Sequence, residues 1–378
     1  MRIPAMPRSI PSSPAFRSLA ALAMIVLAAC APIQEQKGDT RRETLVYPEP
    51  PDEPRFVYER TLYGSADVIP QADGSAFKRL VTGLDGDRSE GLGKPYAVAV
   101  HRGRIFVSDS AERFVKVFDV PEGRYFKIGE DEQGTLVKPL GIDVDGAGNL
   151  YVADATLKAV MVYSRDGKFL RKIGSAKLFE RLSSVTVDPA GQRVLVVDIG
   201  GVNSDQHKVR VFDALSGTHL FDIGRRGVGA GEFNLPRDAA IGRNGQIYVV
   251  DGGNFRVQVF DRDGKYMQSF GSVGKQLGNF ARPKEIAADR EGNVYVVDAA
   301  FGNFQIFNAD GDLLMYIGER SEKDGAGRYM LPSGIYVDED GRIYMVDQWF
   351  RKVDVFRPYG LASDGGFLGQ RPKPVAAR

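Results

Sequence analysis

Disulfide chemistry is closed to this chain, because it has one cysteine, Cys30, and the fold must hold by packing and backbone pairing alone. Histidine is almost as scarce. His101, His207 and His219 fall in a tight turn, in an insertion and at the start of an outer strand, so they are not expected to converge on one metal ion. Charge of one sign is missing too. Residues 1–29 hold three arginines and no acid, which leaves 47 basic and 49 acidic side chains in residues 30–378. That balance argues against nucleic acid as a partner. No apolar run is long enough to span a bilayer. The longest, Leu19 to Ala29, has 11 residues, where a spanning helix needs about 20. There is no Gly-x-Ser-x-Gly nucleophile motif and no phosphate-binding glycine loop leading into a helix. No catalytic residue, metal or cofactor is therefore expected, although oxygen-ligand Ca²⁺ or Mg²⁺ sites leave little trace in sequence.

What is present begins with an address. Residues 1–18 are rich in Arg, Pro and Ser, and the short apolar run follows with the length of a secretory h-region. It ends Leu27-Ala28-Ala29-Cys30. This resembles the lipobox of bacterial lipoproteins, which implies cleavage before Cys30 and acylation of that residue. Ala31 in place of Asp implies, by resemblance to Gram-negative sorting signals, the periplasmic side of the outer membrane. Residues 30–54 end in a Pro-rich stretch (Tyr47-Pro48-Glu49-Pro50-Pro51) and are expected to be a lipidated, extended tether.

The remainder is periodic. Six short apolar runs end in Asp109, Asp154, Asp198, Asp251, Asp298 and Asp347, as in Ile247-Tyr248-Val249-Val250-Asp251. Each has a short β run before it and an alternating strand after it. A fourth strand then ends in Gly129, Gly174, Gly224, Gly271 or Gly318. Four short strands per repeat of about 47 residues predict propeller blades. Gly64 supplies a sixth such glycine, but ahead of the first Asp, while the last Asp has none after it. The run Phe56–Tyr63 is thus a fourth strand without a blade, and residues 332–356 are a blade without a fourth strand. Pairing them closes the ring and removes exposed edges. The expected fold is all-β: a six-bladed β-propeller over 55–358 whose N-terminal strand completes the last blade. Residues 359–378 are expected to be a flexible tail.

Segments such as Pro236…Ile247-Tyr248-Val249-Val250-Asp251…Arg256-Val257-Gln258-Val259-Phe260 resemble NHL repeats. The order of lipobox, Pro-rich tether and repeats is similar to that of NHL-repeat bacterial lipoproteins. The resemblance implies a fold and a place in the cell envelope, not an activity.

Long connections (65–93, 225–234, 272–281, 319–330 and the insertion 199–208) all map to one face, where function usually sits. Gly227, Gly229 and Gly231 read as loop flexibility, and Phe77, Leu80, Val81 and Leu84 have the spacing of a short amphipathic helix. Lys94, Arg113, Lys138, Lys158, Arg237, Arg256, Lys284 and Arg351 fall on the same face. More than half of them are expected in ion pairs between blades, and the six Asp residues are expected to cap turns. Candidate binding residues are Tyr96, Lys138, Arg237, Asp238, Lys284, Glu285, Trp349 and Arg351, with Arg237 and Lys284 at the channel mouth. The expected function is a monomeric, membrane-tethered envelope scaffold that binds a protein or polymer on this face. The alternative is a metal-dependent hydrolase or lyase working in the channel.

Overall fold

The computed structural model describes residues 45–69, 89–201 and 203–369. The leader, Cys30, most of the tether and the segment Phe77–Leu84 lie outside the described residues.

Six antiparallel sheets form the blades. Blade 1 runs Pro95–His101, Arg104–Asp109, Phe114–Asp119 and Arg124–Ile128. Blades 2 to 5 repeat that order through Ile317. Each innermost strand packs on the innermost strand of the next blade, and the last, Pro332–Val337, packs on the first, Pro95–His101. Second and third strands such as Ile247–Asp251 and Ala159–Tyr163 are buried at every residue. They are covered on both faces by neighbouring blades, which is why they read as continuous apolar runs. Fourth strands such as Phe169–Ile173 alternate between exposed and covered residues, as befits a rim.

Blade 6 closes as expected. Phe56–Leu62 pairs with Lys352–Pro358, with Leu62 opposite Val353. Leu62 is fully buried in the apolar layer between blades 6 and 1, and Thr61 donates a 2.5 Å hydrogen bond to the buried Asp354. Both domain boundaries need correction. Val46–Tyr47 adds a fifth strand on Phe56–Val57, and the Tyr47 ring lies edge-on to Phe356 at 5.5 Å. The prolines after Tyr47 reverse the chain instead of extending it, so the blade begins at Leu45. At the other end the chain stays docked through Gly369. Arg342, with no exposed surface, donates to Glu59 and to the Gly365 carbonyl, and Leu368 is buried in the layer between blades 6 and 1.

Three of the long connections, 225–234, 272–281 and 319–330, fold over a buried aromatic plug, Phe233, Phe280 and Tyr329. In 272–281, Val273 and Phe280 form a parallel bridge, and Phe280 is fully buried. The strand-ending Gly271 has φ +81°, and a Cβ there would sit 2.3 Å from the Phe280 ring, so glycine is required both for conformation and for space. The loop 225–234 uses Phe233 in the same way. Its glycines are held, not free: Gly227 N–H donates to the Phe233 carbonyl, Gly229 N–H to Glu232, and Gly231 N–H to Gln258.

Candidate functional site

The central channel is built by the six innermost strands. Five of them open with proline (Pro95, Pro139, Pro236, Pro283 and Pro332), which has no N–H to donate to a ladder. The register shifts just after it, between Pro236 and Ala239 and between Pro283 and Ile286. Such a bulge re-aims side chains. It presents Asp238 and Glu285 to a cavity of about 450 Å³ that also takes in Asp143, Ser184, Thr186 and Tyr336. The cavity continues to the exposed turns at Gly146, Pro189, Arg243 and Arg290. It therefore opens on the face of short turns, opposite the long loops.

The carboxyls in this cavity are poorly solvated. Burial pushes Asp143 up to about 7 and Asp238 up to about 6, against the hydrogen bonds that hold their ionised forms. Glu285 is raised as well, by burial first and by the charge of Asp238 second. Asp143 accepts from Val144 N–H and Val187 N–H. Asp238 accepts from the Ser184 hydroxyl at 2.5 Å and from Ile286 N–H at 2.9 Å. Toward the long-loop end, Lys284 of blade 5 donates to the Pro332 carbonyl of blade 6 and lies 5.2 Å over the Tyr96 ring of blade 1. It thus reaches from blade 5 to blades 6 and 1. Burial pushes its ammonium down to about 8.

On the long-loop face the blade-end aspartates act as clamps. Asp251 has no exposed surface and accepts from Asn234 N–H, Asn254 Nδ2, Arg256 Nε and Gln258 Nε2. Asp154, equally buried, accepts from four backbone N–H groups of the lead-in and the turn. Turn capping by these residues is what the repeat pattern implies, and it fixes the loops as a rigid surface. Apolar side chains stand out from that surface: Val228 is 75 % exposed, Val273 69 % and Trp349 62 %. The exposed cations Arg226, Lys275 and Arg351 lie beside them in the same three loops.

The NHL repeat model matches residues 233–260, from the Phe233 plug through the third strand of blade 4. NHL repeat-containing protein 3 of Mus musculus is 26 % identical over 189 residues, which are 45 % of this chain and 53 % of that one. The chain is a six-bladed β-propeller with an NHL repeat in its fourth blade. It spans about half the length of the curated relatives it matches at the greatest coverage. A probable peptidyl-alpha-hydroxyglycine alpha-amidating lyase of Caenorhabditis elegans is 32 % identical over 114 residues, 29 % of this chain and 31 % of that one. Among solved structures, a Xanthomonas campestris gluconolactonase superposes with a TM-score of 0.54 at 15 % identity, over 80 % of this chain and 98 % of that one. That likeness concerns the fold alone.

In this propeller the eight candidate binding residues separate into three groups. Asp238 and Glu285 line the cavity. Tyr96, Arg237 and Lys284 do not line it, and all three are partly buried. Lys138, Trp349 and Arg351 belong to the long-loop face and do not line the cavity. The expected ion pairs are also corrected. Of the eight cations assigned to that face, Arg256 alone has a carboxylate within 4 Å among the described residues, Asp251 at 2.9 Å. Arg113, Lys158 and Arg351 instead occupy the left-handed region, with φ of 69°, 49° and 56°, at the fourth position after their blade-end Asp. Sequence reasoning missed Val228 and Val273. Their signal is an apolar residue next to a glycine inside a loop, which periodicity does not register.

Proposed function

We propose that this NHL-type propeller is a lipid-anchored binding protein of the cell envelope, held through Cys30, that takes a protein or an envelope polymer on its long-loop face. The observation that carries the reading is the row of exposed apolar anchors, Val228, Val273 and Trp349, on loops clamped by buried aspartates and plugged by Phe233 and Phe280. Exposed apolar side chains on a rigid support lose little entropy when covered, and Trp beside Arg is the composition of an interface hot spot. Arg226, Lys275 and Arg351 favour an acidic partner, since arginine grips carboxylate with two hydrogen bonds. The test is site-specific photo-cross-linking in intact cells. Probes at 228, 273 and 349 are expected to capture one common species. A probe at Leu215, 78 % exposed in a turn of the opposite face, is expected to capture none. Capture from Leu215 alone would overturn the reading. The anchor is tested separately: Cys30→Ser is expected to abolish labelling by radioactive palmitate.

A second reading, a hydrolase or lyase acting in the channel, draws on the acid-lined cavity and on the similarity to the amidating lyase. Saturable activity on an ester or lactone that is lost in Asp238→Asn would support it.

A further inference from the structure

The innermost strands start at the long-loop face, because the connections 225–234 and 272–281 run directly into Pro236 and Pro283. Four cations stand at such starts. Arg181 and Arg282 immediately precede the innermost strands of blades 3 and 5, and Arg237 and Lys284 are the second residues of those of blades 4 and 5. They are close enough to act on one another. Burial first, and then the charges of Arg181 and Arg282, hold the Arg237 guanidinium below its usual range, with no carboxylate among the groups that act on it. Arg237 and Arg282 act on Lys284 as well. Arg256, also of blade 4, takes Asp251 at 2.9 Å, but none of these four cations has a carboxylate within 4 Å among the described residues. The three guanidiniums donate no hydrogen bond there either, and Lys284 has only its 3.5 Å contact with the Pro332 carbonyl. Glu285 does act on Lys284, but that carboxyl is itself hydrogen-bonded to Asp238.

These cations are held in place, which separates them from solvated surface charges. The Arg181 and Arg282 N–H groups donate to the buried clamps Asp198 and Asp298, at 2.8 and 3.0 Å. Arg237 lies on the turn after Asp251: a Cβ at Gly252 would sit 2.7 Å from Arg237 Cγ and 3.2 Å from its Nε. Glycine there leaves a shelf on which the arginine rests. The Tyr96 hydroxyl stands in the field of Arg181 and Arg237 and has no hydrogen-bond partner among the described residues. Like charges fixed near one another repel, and a partly buried guanidinium with its hydrogen bonds unmade is costly. An anion relieves both, and the guanidinium fork matches the oxygens of a carboxylate or a phosphate. We infer that the long-loop mouth of the channel binds a small polyvalent oxyanion, gripped by Arg181, Arg237 and Arg282, with Lys284 and the Tyr96 hydroxyl as further donors. The site does not use the apolar anchors Val228, Val273 and Trp349, so it does not rest on the reading of the face as a macromolecular interface.

The experiment titrates citrate and pyrophosphate into full-length protein in detergent by isothermal calorimetry, in metal-free buffer at an ionic strength held constant with chloride. At least one of them is expected to bind in a saturable way, and the tighter of the two shows whether carboxylate or phosphate is the preferred group. Arg237→Gln and Arg181→Gln are each expected to weaken that binding about tenfold or more. Arg237→Lys keeps the charge and loses the fork, and its affinity is expected to fall between those of the parent and Arg237→Gln. Lys265→Gln, in an exposed turn of the opposite face, is expected to bind as the parent does. Arg181 is exposed, so its variant keeps the test valid should Arg237→Gln fail to fold. Binding of neither anion over the chloride background overturns the inference, as does parental affinity in both Arg181→Gln and Arg237→Gln. No partner is present in this titration, so its failure and the failure of the photo-cross-linking test are told apart.

Discussion

Leu62→Ala tests whether ring closure holds the whole propeller or only one blade. Leu62 has no exposed surface and lies in the apolar layer shared by blades 6 and 1, opposite Val353. Truncation removes its transfer free energy and leaves a cavity between two rigid sheets that cannot collapse into it. Buried Leu→Ala changes cost about 2–5 kcal/mol, and about 3 kcal/mol is expected here. With an unfolding entropy of roughly 2.1 cal/mol/K per residue over roughly 300 ordered residues, that lowers the melting temperature by about 4–5 °C. The chain supplies its own local probe, since its single tryptophan, Trp349, sits in blade 6. If the N-terminal strand closes a cooperative ring, Trp349 fluorescence and far-ultraviolet circular dichroism will shift together. Leu215→Ala, at a position 78 % exposed, should stay within about 0.5 kcal/mol of the parent. The reasoning is refuted if only the Trp349 signal moves, which would mean that blade 6 frays alone, or if Leu62→Ala costs less than about 1 kcal/mol.

Two further outcomes follow from the same geometry. Gly271→Ala places a Cβ 2.3 Å from the Phe280 ring at φ +81°, whereas Gly292→Ala, at φ +100°, meets nothing within 4 Å; Gly292→Ala should cost about 1–2 kcal/mol of backbone strain and Gly271→Ala clearly more, by chemical denaturation. Stability should fall as pH rises from about 5 to about 8, because Asp143 and Asp238 bind protons more tightly folded (about 7 and about 6) than unfolded (about 3.9), a contribution complete below the unfolded value and lost through the folded ones; Asp143→Asn should flatten the slope of melting temperature against pH.

The clamps were legible in the sequence because one residue type recurs at one place in every repeat. Asp154 and Asp251 each satisfy backbone donors of their own blade, within about 20 residues, so their role is local and repeats with the chain. Ring closure was legible for a different reason: the offset between Gly64 and Asp347 leaves one strand over at each end. The blade limits were less so. The proline run after Tyr47 reads equally as a stiff tether or as a turn, and the contact between Tyr47 and Phe356 decides for the turn.

What the sequence by itself determined is the repeat, the number of blades and the closing strand, since each rests on periodicity along the chain. Tertiary structure decided where the chemistry lies. Asp143, Asp238, Glu285 and Tyr336 belong to four different repeats, two of them second and two fourth after the opening proline of an innermost strand. They meet because six strands converge on one axis, with Asp238 and Glu285 inside the bulge after their proline and Asp143 and Tyr336 in the regular ladder beyond it. The ring likewise turned Lys284 across Tyr96 and away from solvent. A linear pattern records which strand a residue is on. The bulge and the neighbouring blade decide which way its side chain points and what it faces.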